Sequence, residues 1–429
     1  MLSRLQLKPA TCTVAALMVL CAGGCGKGAS RARSSGVRAA ATPRGPALGL
    51  TEDNANLLWS PHGSPRPAAA FQPVRQELTA LHPRYLRLLV DWAALQPDPR
   101  EPPALEAPAS GCARQVGPCG RFAGIRDELA AIASQQRAAG TGAVGDFQVV
   151  IDIYGTPAWA AGAPSGCERS HATAFSRAPT HAAITAYRTL IRSLLALAAR
   201  EGVALQWWSP WNEPNHAVFL SPQHSSCAAD SRPLSPALYA ELARAMAAEL
   251  LADGGEHHLL LGELNAFQSD SRDHLSVSRF VSALPSDVVC LGDIWSIHAY
   301  ASRGAASPRV DPVADLEAAL NARGGCARSA QIWVTETGAG APHPGSPRPA
   351  GAADEEAGCQ AMAAQLIRWY HDPRVGAVFQ YTFREDPAFP VGLIGAELSH
   401  LYPTYRLWQA WSRLRAAGRP PPTPAAGCA

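Results

Sequence analysis

The chain has 429 residues, 47% of them apolar, and a formal net charge of +2. That length and apolar fraction allow a full core in one large barrel or two ordinary domains, and they exclude a small disulfide-stapled scaffold. The near-balanced charge offers no electrostatic footprint for nucleic acid or for an acidic partner.

The N-terminus reads as an export signal. Arg4 and Lys8 precede an apolar run from about Ala10 to Ala22, which is short for a membrane span, and small residues follow. Ala22-Gly23-Gly24-Cys25 resembles a bacterial lipobox, with Ala where Leu is usual three positions before the cysteine. Lipidation of Cys25, which would attach the chain to a membrane, and simple secretion both stay open. Residues 1–25 are thus taken as the signal segment. Residues 26–45, rich in Gly, Ala, Ser and Arg without periodicity, read as a disordered linker.

Eight rounds of strand and helix follow. The predicted strands are Ala47–Thr51, Tyr85–Val90, Phe147–Tyr154, Val203–Ser209, His258–Glu263, Asp293–Ile297, Gln331–Thr335 and Val375–Thr382. The helices between them are expected at Val74–Leu81, Arg121–Ala138, His181–Glu201, Pro236–Ala252, His274–Leu284, Val313–Ala322, Asp354–His371 and Tyr405–Arg415. In the third of these, Ile184, Tyr187, Ile191, Leu194 and Leu195 recur at helical spacing. In the fourth, Ser235 is placed to cap and Pro236 to start the first turn. The strands are short apolar runs without alternation, as in a parallel sheet covered on its outer face. Such crossovers generate an α/β fold of the (β/α)8 TIM barrel type over residues 46–415, in a single domain. The rival, an open doubly wound sheet, lacks its Gly-x-Gly-x-x-Gly signature after the first strand. Residues 416–429 are Pro-rich and read as a C-terminal tail.

If the barrel closes, residues just past each strand converge on one opening. That set includes Glu52, Arg87, Trp159, Asn212, Glu213, Glu263, Asn265, His298, Tyr300 and Glu336. The central stretch is Trp211-Asn212-Glu213-Pro214-Asn215-His216. It puts a carboxylic acid at a strand end, an amide before it and a stiffening proline after it. An acid so held can protonate a glycosidic oxygen while a neighbouring donor holds the sugar 2-hydroxyl. Trp159, in Gly155-Thr156-Pro157-Ala158-Trp159, is suited either to stack on a sugar ring or to pack under its own loop. Glu52, Glu263 and Asn265 join the set by position. No Cys-x-x-Cys or His-rich spacing points to a metal, and nothing points to another cofactor.

Trp211-Asn212-Glu213-Pro214-Asn215 after strand four, with Trp333-Val334-Thr335-Glu336 at strand seven, resembles the clan A glycoside hydrolases. The wording is nearest to the β-xylosidase and iduronidase type. The resemblance implies a retaining, two-glutamate double displacement on an oligo- or polysaccharide. It implies Glu213 as acid/base, Glu336 as nucleophile and Asn212 as the ligand of the 2-hydroxyl. Ile297-His298-Ala299-Tyr300 resembles the strand-six motif whose aromatic ring contacts the nucleophile, and Arg87 resembles the strand-two arginine beside it. One departure is visible: many members carry Trp at the end of strand eight, where this chain reads Gln380-Tyr381-Thr382-Phe383. The alternatives to an enzyme are a carbohydrate-binding barrel without catalysis and a structural cell-envelope barrel. Sugar, linkage, endo or exo action and oligomeric state are not encoded in any motif.

Eleven cysteines are present, and setting aside Cys12, Cys21 and Cys25 leaves an even set in an exported chain. The topology pairs Cys112 with Cys119 in one loop. It pairs Cys167 with Cys227 across neighbouring loops of the catalytic face, Cys290 with Cys326 on the opposite face, and Cys359 with Cys428 at the tail.

Overall fold

In the computed structural model, described for residues 45–52, 75–106, 124–137, 147–228, 230–301 and 311–428, eight parallel strands close on one another in chain order. They are β1 (Ala47–Glu52), β2 (Tyr85–Asp91), β3 (Gln148–Tyr154), β4 (Trp207–Ser209), β5 (His258–Asn265), β6 (Ile294–His298), β7 (Gln331–Thr337) and β8 (Val375–Tyr381), and β8 pairs back onto β1. The (β/α)8 barrel expected from the strand–helix alternation is therefore the fold. The main helix after each strand is α1 (Arg75–Leu81), α2 (Gly124–Arg137), α3 (Ile184–Glu201), α4 (Ser235–Asp253), α5 (Val277–Ala283), α6 (Pro312–Arg323), α7 (Ala352–His371) and α8 (Pro403–Ala416). The export signal, Cys25, the linker and the Cys112–Cys119 pair lie outside the described residues.

Three local expectations are corrected. β4 is only Trp207–Ser209, because Val203 and Leu205 lead in as a buried approach rather than as paired strand. Ser235 does not cap α4; it is buried and its hydroxyl donates to Gln223 Oε1 at 2.9 Å, while Pro236 does sit in the first turn. α5 begins at Val277 and is capped by Ser276, whose side chain accepts from the Arg279 amide.

Alternate residues of each strand point inward, so the barrel interior is layered. The layer at the strand starts is an aromatic plug. Tyr85, Trp207, Trp333 and Phe379 pack ring on ring, with Tyr85 4.7 Å from Trp333 and Trp207 4.8 Å from Trp333. Gly49 leaves room for it, since a Cβ there would lie 2.3 Å from the Phe379 ring. One step toward the strand ends, the inward positions switch to Arg87, Asp152, Ser209 and Thr335, all fully buried. The apolar outer faces of the strands meet the helices. Tyr187, Leu190, Ile191 and Leu194 of α3 lie in that shell, so this long apolar helix is a core helix of the barrel.

Two irregularities break the alternation where the site will be. Between β5 and β6 the register shifts from Leu261 to Leu264, with Gly262 at φ +103° and Glu263 at φ +49°. A Cβ on Gly262 would meet the Ser296 carbonyl at 2.6 Å, so only glycine fits the shift. The extra residue turns Glu263 inward. β7 shifts register against β8 between Val334 and Thr337, and Glu336 lies in that stretch.

Cystine bridges fasten the periphery. Cys167–Cys227 joins the loops after β3 and β4 with Cα atoms 4.7 Å apart. Cys290–Cys326 and Cys359–Cys428 each span 5.8 Å between Cα atoms. The C-terminal segment is thus held on α7, and it ends in a short helix, Pro424–Gly427, with Cys428 buried.

Candidate active site

Glu213 follows β4 in a tight turn. Its φ is +38°, a left-handed conformation unfavourable for a residue with a Cβ, and its amide donates to the Glu263 carbonyl at 3.0 Å. The turn aims the carboxyl across the barrel mouth. Oε1 accepts from Asn265 Nδ2 at 3.1 Å and lies 2.9 Å from His298 Nδ1, while Oε2 lies 3.4 Å from His216 Nδ1. Asn265 is itself fixed, because its amide donates to Asn215 Oδ1 at 2.9 Å.

Glu336 stands opposite. Arg87 Nη1 donates to its Oε1 at 2.7 Å, and the Tyr300 hydroxyl donates to its Oε2 at 2.6 Å. Both oxygens therefore accept, as a carboxylate's do. One atom each of Glu213, His298 and Glu336 lie within 4.8 Å of one another. Three such atoms could also converge on a cation; the guanidinium already lodged on Glu336 disfavours a second positive charge there.

Beneath the two glutamates lies a dry polar layer. Arg87 is fully buried, and its Nη2 reaches Asp152 Oδ2 at 2.8 Å, Asn212 Oδ1 at 2.9 Å and Glu263 Oε2 at 2.8 Å. Arginine can only donate, so the Asn212 oxygen must face it, and the Asn212 amide nitrogen is left on the other side. Glu263 also accepts from Ser209 at 2.6 Å and Thr335 at 2.7 Å, and lies 2.8 Å from His298 Nε2.

These contacts set the charges. Burial opposes ionisation of Glu263, but Arg87 and then His298 outweigh it and hold the carboxyl down to about 2. Burial likewise opposes a charged His298; Glu336, Glu213 and Glu263 outweigh it and push the imidazole up to about 10. Burial raises Asp152 well above the usual carboxylate range despite Arg87. For Glu213, burial is again overcome, here by the bonds from His216 and His298, and the carboxyl is held well below its ordinary value. Together these shifts favour a protonated imidazole on His298 beside an ionised Glu213.

The structure brings together Arg87, Asn212, Glu213, Glu263, Asn265, His298, Tyr300 and Glu336. Glu263 is fully buried under His298, so it serves the framework and cannot touch a sugar. Trp159 packs against the segment after β2: its indole donates to the Gln96 carbonyl at 2.8 Å and its ring meets Trp92 edge-on at 6.0 Å. Glu52 ends β1, and its side chain is outside the described residues. Sequence reading missed Asp152, Ser209 and Thr335 as site residues. The signal was present: polar residues inside apolar strands, two positions past Val150, Trp207 and Trp333. It also left His216 without a role. Tyr381, where a Trp was the usual residue, is nine-tenths buried beside Tyr300, with ring centroids 6.3 Å apart.

No protein-family model matches the sequence, and no curated protein matches it either. Solved structures do match. A GH39 β-xylosidase from Caulobacter crescentus is similar with a TM-score of 0.54 and 15% identity, over 88% of this chain and 73% of that one. A GH5_18 protein from Bifidobacterium longum subsp. infantis gives 0.54 and 17%, over 89% and 80%. A family 39 glycoside hydrolase from Bacteroides cellulosilyticus WH2 gives 0.50 and 15% over 86% of this chain, which spans 63% of that protein's length. Families 39, 30 and 5 are all represented among the similar structures. Identities this low speak for architecture alone: the chain has a (β/α)8 barrel fold like that of these glycoside hydrolases.

Proposed function

We propose that the chain is a retaining glycoside hydrolase acting on an oligo- or polysaccharide. The observation that carries the reading is the pair Glu213, in the turn after β4, and Glu336, near the end of β7, which present oxygens within 4.8 Å of each other across the barrel mouth. Retaining enzymes need their two carboxyls about 5–5.5 Å apart, close enough for one to attack the anomeric carbon while the other serves the leaving oxygen. Glu336, with Arg87 and Tyr300 donating to it, is the nucleophile. Glu213 is the acid/base. The Asn212 amide nitrogen, turned away from Arg87, is the donor for the sugar 2-hydroxyl. In the first step Glu336 bonds to the anomeric carbon as the glycosidic oxygen takes a proton from Glu213. In the second, water attacks the glycosyl-enzyme and gives a proton back to Glu213.

The buried Arg87 also grips Glu336 at the mouth, which favours a charged carboxylate there and supports the catalytic reading over a purely structural barrel. The three described disulfides fit an oxidising compartment, outside the cell or in its envelope, as the N-terminal export reading expects.

A panel of aryl glycosides identifies the sugar. A 2-deoxy-2-fluoro glycoside of that sugar should then trap a covalent adduct on Glu336, located by peptide mass mapping. An adduct on another residue, or near-normal turnover by Glu336→Gln, overturns the assignment.

A further inference from the structure

The contacts of His298 are hard to satisfy with the usual number of protons. Its Nδ1 lies 2.9 Å from Glu213 Oε1, and its Nε2 lies 2.8 Å from Glu263 Oε2. A neutral imidazole has one N–H and a carboxylate has none, so two hydrogen bonds to two carboxylates need one proton more than neutral histidine supplies. All three side chains are buried or nearly so, and water cannot make up the difference. The groups around the ring decide where the extra proton stays. From β2 comes Arg87, whose Nη2 is 3.4 Å from Nε2; from β3, behind it, Asp152; from β7, Glu336, whose Oε2 is 3.4 Å from Nδ1 and is shared with Tyr300. His216 approaches only through the far oxygen of Glu213.

We infer that Glu263 is a positioning residue that fixes His298 with its Nε2 proton on Glu263, so that the proton used to cleave the substrate is stored in the bond between His298 Nδ1 and Glu213. The inference rests on the hydrolase reading of Glu213. At rest the stored proton lies on Nδ1, in accord with the raised proton affinity of His298 and the lowered one of Glu213. When a sugar displaces water from the mouth, the proton passes from Nδ1 to the Glu213 carboxyl. The carboxyl then gives it to the glycosidic oxygen as the anomeric C–O bond breaks, and the aglycone leaves as an alcohol. His298 is left neutral, with its remaining proton still on Nε2. In deglycosylation the attacking water returns one proton through Glu213 to Nδ1, so the cycle closes without net gain or loss. Glu263 touches no reacting atom. Its charge keeps the imidazole able to carry the second proton.

Glu263→Gln keeps an oxygen acceptor for Nε2 and removes the charge. The expected result is a basic limb of kcat/KM that moves to lower pH by at least one unit. Activity on phenyl glycosides should fall about tenfold or more, with a much smaller loss on 2,4-dinitrophenyl glycosides, whose leaving group needs no proton. Glu263→Asp should restore the limb. An unmoved limb, or equal losses on both leaving groups, overturns the inference. Nitrogen-15 NMR of histidine-labelled wild type gives a test that needs neither the variant nor activity: both His298 nitrogens should be protonated at pH 7. A deprotonated Nδ1 overturns the inference even if the enzyme is active. An inactive wild type with a doubly protonated His298 would sink the hydrolase reading and leave the proton placement standing.

Discussion

Arg87 and Glu336 are 249 positions apart in the chain and meet at 2.7 Å in a site where the arginine is wholly buried. The same guanidinium hydrogen-bonds Asp152 and Glu263, so it is the hub of the layer below Glu213 and Glu336. Removing it would leave the Glu263 charge and the Asp152 carboxyl without their donor in a buried interior. Arg87→Met should therefore destabilise the fold by about 3–5 kcal/mol, the usual effect of breaking a buried ion pair on one side. Urea unfolding measures this. A loss below about 1 kcal/mol would mean that water or a protonated Asp152 already compensates.

The Asn212 oxygen accepts from Arg87, which leaves its amide nitrogen as the donor that the proposed mechanism gives to the 2-hydroxyl. Asn212→Ala should lower kcat/KM on a normal aryl glycoside by about 2- to 12-fold, the worth of one neutral hydrogen bond of about 0.5–1.5 kcal/mol. The 2-deoxy analogue should be cut far less. Equal losses on both substrates would place the amide away from the 2-hydroxyl.

His298 and Glu263 make stability depend on pH in opposite directions. The His298 proton affinity rises on folding from an ordinary value of 6.5 to about 10. Its contribution is complete below 6.5 and is lost as pH climbs toward 10. Glu263 falls from 4.5 to about 2, so its contribution is complete above 4.5 and lost as pH drops toward 2. Calorimetry should find the highest Tm between about 4.5 and 6.5, with an alkaline decline that flattens in His298→Asn. An alkaline slope identical in wild type and variant would count against the buried imidazolium.

The bridge Cys167–Cys227 closes 60 residues of sequence and ties together the walls after β3 and β4. Beside it, buried Glu168 accepts from the Gln223 amide at 2.8 Å, a second tie between the same walls. Replacing both cysteines by serine should cost about 2–4 kcal/mol and expose these loops to protease before the barrel itself. Mass mapping of non-reduced peptides should recover 167–227, 290–326 and 359–428. A link from Cys112 to Cys167 would overturn the pairing.

Much of this protein could be read along the chain. Short apolar runs separated by amphipathic helices determine the number and order of the strands, because a strand covered on both faces must be apolar and a parallel crossover needs a helix. The Asn212-Glu213-Pro214 turn and Glu336 were legible because chemistry put acid residues where apolar strands end. Helix ends were less so: Ser235 has the composition of a cap, and only the neighbouring Gln223 shows why its hydroxyl is used elsewhere. Tertiary structure alone decided which polar residues reach the barrel mouth and which lie beneath them. Glu263 sits at a strand end like Glu213, yet one inserted residue beside Gly262 turns it inward and beneath His298. Side-chain direction in a strand alternates by single residues, so a register shift reverses a role without leaving a mark in composition. The placement of the resting proton is of the same kind. It depends on distances among His298, Glu213, Glu263 and Glu336, which four separate strands bring together only when the barrel closes.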